Sequence, residues 1–108
     1  MADINQIFTD IKNQLGPLAE QNLGEFAAQG KADAEAFLAE SRANLAKWIQ
    51  QLADGKIDQD EFNFLVDTQK AAAEMTTLRA TNVGQVRVDK FRNSVFSVII
   101  STAVKAIA

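Results

Sequence analysis

The stretch ADGKIDQDEF, residues 53–62, comes closer to a chemical motif than any other part of this sequence. An EF-hand calcium loop needs oxygen ligands at its first, third, fifth and last positions and a glycine at the sixth. If Gly55 is that glycine, Asp54 and Asp58 take the fifth and ninth positions, and Glu61 takes the last. A glutamine and a leucine then occupy the first and third positions, so two anionic ligands are missing. We therefore reject a calcium site here and predict neither a metal nor a cofactor.

A turn between two helices accounts for the same residues. Gly55 suits the left-handed position that ends a helix. Asp58 then caps the next helix, and Glu61, three residues later, completes a capping box. Ile57 before the cap and Phe62 in the first turn form a hydrophobic staple. The sequence thus predicts a helix, a tight turn and a second helix.

The sequence contains neither histidine nor cysteine, which excludes much of enzyme chemistry. The chain lacks a thiolate nucleophile, the commonest general base and the usual ligands of transition metals. Its five glycines are scattered, so there is no glycine-rich loop to bind phosphate. We predict that the protein is not an enzyme and has no small-molecule substrate.

The composition predicts one small all-α domain, residues 1–108. Hydrophobic residues make up 47% and charged residues 23%, and there is a single proline. Alanine, glutamine, glutamate, leucine and lysine are frequent, and all of them favour helices. The expected architecture is an antiparallel hairpin of two long helices, residues 3–53 and 58–107, joined by a turn at 54–58.

Breaks in those two arms would instead produce a small four-helix bundle. Gly16-Pro17 can interrupt the first arm, and the residues near Gly84 can interrupt the second. Five large apolar residues of the first arm, however, are spaced by eleven, close to three turns of a straight helix. This apolar seam favours a long, unbroken first arm. Its members are Ile4, Leu15, Phe26, Phe37 and Trp48.

The C-terminal segment is apolar on most of its helical surface. Between Val95 and Ala108 its only charge is Lys105. A helix of this kind must be buried on most sides. Either the chain folds into a compact monomer that covers it, or copies associate into a homo-oligomer or filament through it and through the apolar seam. The interface residues expected in this segment are Val95, Phe96, Val98, Ile99, Ile100, Val104 and Ile107.

A membrane surface is the alternative partner for the same segment. Four cations flank or interrupt it and would contact anionic lipid. They are Arg87, Lys90, Arg92 and Lys105. Nucleic acid is not an expected partner, because the whole chain carries a net charge of −3.

The N-terminal residues do not have the pattern of a signal peptide, and no apolar run reaches the roughly 20 residues that cross a bilayer. We therefore expect a cytoplasmic protein, peripheral to a membrane if it binds one. The turn LADGKIDQDEF resembles those of small helical bacterial proteins. That resemblance implies a bacterial or phage accessory protein and assigns no roles to individual residues.

Overall fold

The computed structural model describes residues 3–107, apart from the side chains of residues 71 and 72, and that range is helical without any strand. The all-α prediction is therefore confirmed. Short 3₁₀ turns lie at Gly24–Phe26 and Thr68–Ala72. The five α-helices are α1 (Ile4–Leu23), α2 (Ala27–Ala53), α3 (Gln59–Asp67), α4 (Thr76–Arg79) and α5 (Gln85–Ile107).

The chain reverses direction at Gly24, so the first arm is not a single straight helix. Gly24 has φ 54° and ψ −114°, a conformation open to glycine because it has no Cβ. Arg42 donates a 2.6 Å hydrogen bond to Asn5, and both residues would lie about 55 Å apart in an unbroken helix. The whole molecule is only 43 Å long. Residues 4–53 are helical, as predicted, but they do not form one straight arm, because α1 and α2 pack against each other as an antiparallel pair.

The break at Gly16-Pro17, considered above as the alternative to an unbroken arm, is absent, because α1 continues through Pro17. A residue before proline normally avoids the helical conformation, since its Cβ collides with the proline ring. Gly16 has no Cβ, which removes that part of the obstacle. The predicted break near Gly84 is present: α4 ends at Arg79 and α5 begins at Gln85.

The remaining helices pack around the α1–α2 pair. Helix α5 runs antiparallel to α1: Gln14 donates to Thr102 over 2.9 Å at one end, and Arg87 donates to the Asn22 carbonyl over 3.2 Å at the other. Helices α3 and α4 return along α2 and also contact α5. Four segments thus alternate in direction, and the third of them is broken between α3 and α4.

Three helices come closest together at Gly30 of α2. A Cβ at this position would overlap the side chain of Leu23 and would lie 3.1 Å from Phe91. Glycine therefore allows the end of α1 and the start of α5 to pack directly against the α2 backbone. The largest fully buried side chains around this contact and along the molecule are Phe62, Phe91, Phe96, Ile7, Ile11, Leu15, Leu23, Leu45, Ile49, Leu78 and Ile99.

Helix α4 is capped by a residue of another helix. Met75, which precedes it, has a left-handed backbone with φ 53° and provides no side-chain cap. The carboxylate of Asp33 in α2 instead accepts hydrogen bonds from the N–H groups of Thr77 and Leu78, at 3.1 and 2.6 Å. Asp33 thus satisfies two backbone donors that a helix start leaves unpaired.

We expect Gly24→Ala to lower the free energy of unfolding by about 1–3 kcal/mol, the usual cost of a residue held in a sparsely populated backbone conformation. No heavy atom lies within 4 Å of the added Cβ, so backbone strain is the only cost. Gly84→Ala is the matched control, because its Cβ is equally unobstructed and its φ is not positive. Urea unfolding measures both, and equal midpoints for the two variants would contradict the expectation.

We expect Asp33→Ala to cost about 0.5–2 kcal/mol, the usual range for loss of a capping side chain, because two backbone N–H groups of α4 lose their acceptor. Glu40→Ala removes an exposed carboxylate from the same helix and should change stability by no more than about 0.5 kcal/mol. Urea unfolding measures the free energy of unfolding of both variants, with the same dependence on urea concentration assumed for each. A loss of stability in Glu40→Ala as large as that in Asp33→Ala would refute the capping role.

Candidate functional site

The turn after α2 has the geometry of a Schellman motif. Lys56 N–H donates to the Gln51 carbonyl at 2.9 Å, and Gly55 N–H donates to the Leu52 carbonyl at 3.2 Å. Gly55 has φ 75°, the left-handed conformation predicted for it. The helix therefore ends because glycine allows its last carbonyls to be paired within the turn.

The carboxylates of the degenerate calcium loop bind neighbouring groups of the chain. Asp58 accepts from the Glu61 N–H at 2.8 Å, and Glu61 accepts from the Asp58 N–H at 3.5 Å, so the predicted capping box is present. Asp54 accepts from the side chain of Gln50 at 2.9 Å. Within residues 3–107, no group of three or more acidic side chains is placed to hold a metal ion.

The two apolar residues predicted to staple this turn both face the core. Phe62 is fully buried, and Ile57 is half-buried against the hydrophobic cluster. The turn thus anchors the start of α3 beneath α2.

Of the twelve residues expected to form an oligomer interface, five are buried in the core of the single chain and seven are half-buried against it. Because α1 and α2 fold against each other, the two halves of the apolar seam face the same interior and do not follow one straight helix. The fully or nearly fully buried members are Leu15, Phe37, Val95, Phe96 and Ile99. The half-buried members that pack against this core are Ile4, Phe26, Trp48, Val98, Ile100, Val104 and Ile107.

The four cations expected to contact lipid do not share one face of α5. Arg92 is half-buried and pairs with Asp89 at 3.2 Å on the side that faces α4. Lys90 and Lys105, by contrast, line two separate depressions between α5 and α1, and Arg87 binds the end of α1. None of the helices in the described range is both long enough and apolar enough to cross a bilayer.

The exposed face of α3 carries an aromatic side chain that sequence reasoning missed. Phe64 is 68% exposed. Each helical residue turns about 100°, so Phe64 points about 200° away from the buried Phe62 and directly away from the core. Asp60, Glu61 and Asp67 lie three or four residues from Phe64, on the same side of the helix. We call these four residues the α3 face.

One sequence signal could have identified this residue. In QDEFNFLVD, Phe62, Leu65 and Val66 follow the helical spacing of a buried stripe. Phe64 lies between them and falls outside the stripe, and an apolar residue out of phase with its helix is a candidate for contact with another molecule. Among the large apolar side chains that the structure describes, only Phe64 and Val86 are classed as exposed.

A small pocket lies on the outer side of the α1–α2 pair and has a volume of about 210 Å³. Phe8, Leu38 and Ala39 supply its apolar wall. The Arg42 guanidinium lies 4.4 Å from the centre of the Phe8 ring, in a cation–π contact. At the other edge, Lys12 pairs with Glu35 at 3.6 Å. We call this the α1–α2 pocket.

A wider groove of about 650 Å³ runs between α1 and α5. Leu18 and Val98 form its floor, and Val86 lies at one end. Its charged residues include Asp89 beside Lys90. The groove is therefore of mixed charge.

Comparison with protein-family models, with curated proteins and with solved structures finds no match for this chain.

Removal of a buried residue that was predicted to form an interface should lower the free energy of unfolding of the single chain. We expect Phe96→Ala to cost about 3–5 kcal/mol, because Phe96 is 1% exposed and its ring lies 5.0 Å from that of Phe37. Phe64→Ala, the same substitution at an exposed site, should change stability by about 0.5 kcal/mol or less. Urea unfolding tests both expectations, at a protein concentration below that at which the chains associate. Similar losses in the two variants would show that Phe64 is a core residue.

Proposed function

We propose that this chain is a non-catalytic helical protein that assembles with copies of itself, and that the α3 face is the contact surface. The observation that carries the proposal is the 68% exposure of Phe64 at the middle of α3. We infer a non-catalytic role because the sequence has neither histidine nor cysteine.

An outward-facing phenylalanine contributes little to the fold of its own chain. Its burial against a partner, by contrast, removes a large aromatic surface from water, and aromatic side chains dominate the energetics of protein contacts. The surrounding Asp60, Glu61 and Asp67 keep the α3 face hydrated when it is free and add charge selectivity to a contact. A central aromatic residue within a polar rim is the usual anatomy of an interface.

The proposal moves the contact away from the C-terminal helix. Val95, Phe96 and Ile99 are buried by helices of their own chain, so they are available to a partner only after unfolding. Membrane association has weaker support, since the cations of α5 are divided between two sides of the helix. The α3 face is accessible in the folded chain.

Sedimentation velocity over a concentration series tests the proposal. The wild-type mass should rise above the 11.8 kDa of one chain as concentration increases. Phe64→Glu should weaken association by at least about 30-fold, the loss expected for a hot-spot residue of about 2 kcal/mol. The reason is that the variant removes the ring and adds a fourth acidic group to the α3 face.

Val86→Glu is the matched control, because Val86 is the other large apolar side chain that the structure describes as exposed, at 81%. It should associate like the wild type. A wild-type protein that stays monomeric at millimolar concentration would refute the proposal. So would a loss of association in Val86→Glu with none in Phe64→Glu.

A further inference from the structure

We propose that Phe64 of one copy inserts into the α1–α2 pocket of a second copy. This inference rests on the proposed self-assembly and specifies the surface that receives the α3 face. The occupant of the pocket is thus another molecule of the same chain.

The pocket has the size and lining that a phenyl ring requires. An apolar protein cavity of about 150 Å³ admits benzene, and the α1–α2 pocket has about 210 Å³. Ala39 is exposed at the edge of the pocket, whereas Phe8 and Leu38 are only 5% and 7% exposed and Arg42 lies over the Phe8 ring, so an incoming ring would contact Ala39, the edges of these two side chains and the Arg42 guanidinium.

The charges of the two surfaces are complementary. Asp60, Glu61 and Asp67 give the α3 face three carboxylates, and Lys70 pairs with Asp67 at 3.4 Å, so the net charge there is −2. Lys12 and Arg42 at the pocket give two positive charges, and the one acidic residue there, Glu35, is already paired with Lys12. The pocket rim therefore has a net charge of +1 where the α3 face has a net charge of −2, and the two surfaces attract.

The same charges disfavour a symmetric contact between two α3 faces. A two-fold axis through Phe64 would bring the three acidic groups of one copy against the same three of the other, and like charges across an interface are unfavourable.

A contact within one chain is also excluded. Phe64 points away from the core on α3, which packs on α2 and α5, whereas the pocket opens between α1 and α2.

The groove between α1 and α5 is a poorer receptor for Phe64. It is about three times larger than the α1–α2 pocket, at about 650 Å³, so a single ring would leave much of it unfilled. Lys90 is a cation of this groove and the neighbouring Asp89 pairs with Arg92, so size rather than charge distinguishes the two receptors.

A contact between two different surfaces is open-ended. Each copy has both an α3 face and an α1–α2 pocket, so a copy bound through one of them can bind a further copy through the other. The expected assembly is a chain of variable length that grows with concentration, and it should shorten as salt screens the charges.

Two variants that block opposite halves of the contact test this assignment. Phe64→Glu removes the inserting ring and keeps the pocket. Ala39→Glu places an acidic side chain at the exposed edge of the pocket and keeps the ring. Each alone should lose association. An equimolar mixture should form a species of two chains and nothing larger, because Phe64 of the Ala39→Glu copy enters the intact pocket of the other and both free ends are blocked.

Ala28→Glu is the matched control. Ala28 is exposed on the same helix, eleven residues from Ala39, and therefore lies on the same side about 16 Å away. This variant should assemble like the wild type. Circular dichroism and urea midpoints equal to those of the wild type establish that all three variants are folded.

The outcomes separate the two proposals. If Phe64→Glu is monomeric but Ala39→Glu assembles like the wild type, the pocket assignment fails and self-assembly through the α3 face stands. Loss of association in Ser97→Glu, on the exposed wall of the α1–α5 groove, together with normal assembly of Ala39→Glu, would assign the receptor to that groove instead. A wild-type chain that remains monomeric refutes both.

Discussion

The packing of α1 back onto α2 is the interaction on which the rest of the structure depends. It begins at Gly24, whose backbone reverses the chain, and it tightens at Gly30, where Leu23 and Phe91 lie against the α2 backbone without an intervening Cβ. Once α1 is held there, its buried stripe and that of α2 face the same interior. Helix α5 then packs along α1 with the opposite direction, and the core closes around Phe37 and Phe96.

This packing explains how the strongly apolar C-terminal helix is accommodated. A helix in a two-helix hairpin has one neighbour and would leave most of its apolar surface in water. Helix α5 instead contacts α1, α2, α3 and α4. Its most apolar residues, such as Val95 and Ile99, are therefore fully buried within one chain. What remains for contact with other molecules is a small set of outward residues, of which Phe64 is the most prominent aromatic one.

The broken third segment shapes the surface as well as the core. After α3 the chain passes through a 3₁₀ turn and a left-handed residue, Met75, before α4 begins under the carboxylate of Asp33. Helix α3 is consequently short. Its nine residues place one apolar pair, Phe62 and Val66, inward and one aromatic residue outward among acidic groups. The same helix therefore serves the fold with one side and is available for contact with the other.

By itself, the sequence determined the features that depend on residues close together along the chain. The all-α class follows from composition and spacing, and the turn at Gly55 and the capping box of Asp58 and Glu61 follow from bonds spanning at most five residues.

Only the tertiary structure decided where the first arm bends. Both Gly16 and Gly24 permit an interruption, and the choice between them depends on which faces of distant helices can bury each other. The cap of α4 is of the same kind, since Asp33 and Leu78 are 45 residues apart and no local pattern links them. The eleven-residue spacing remained ambiguous for the same physical reason: it aligns apolar residues on one side of a helix, but an aligned stripe is buried equally well by a straight partner or by its own chain folded back.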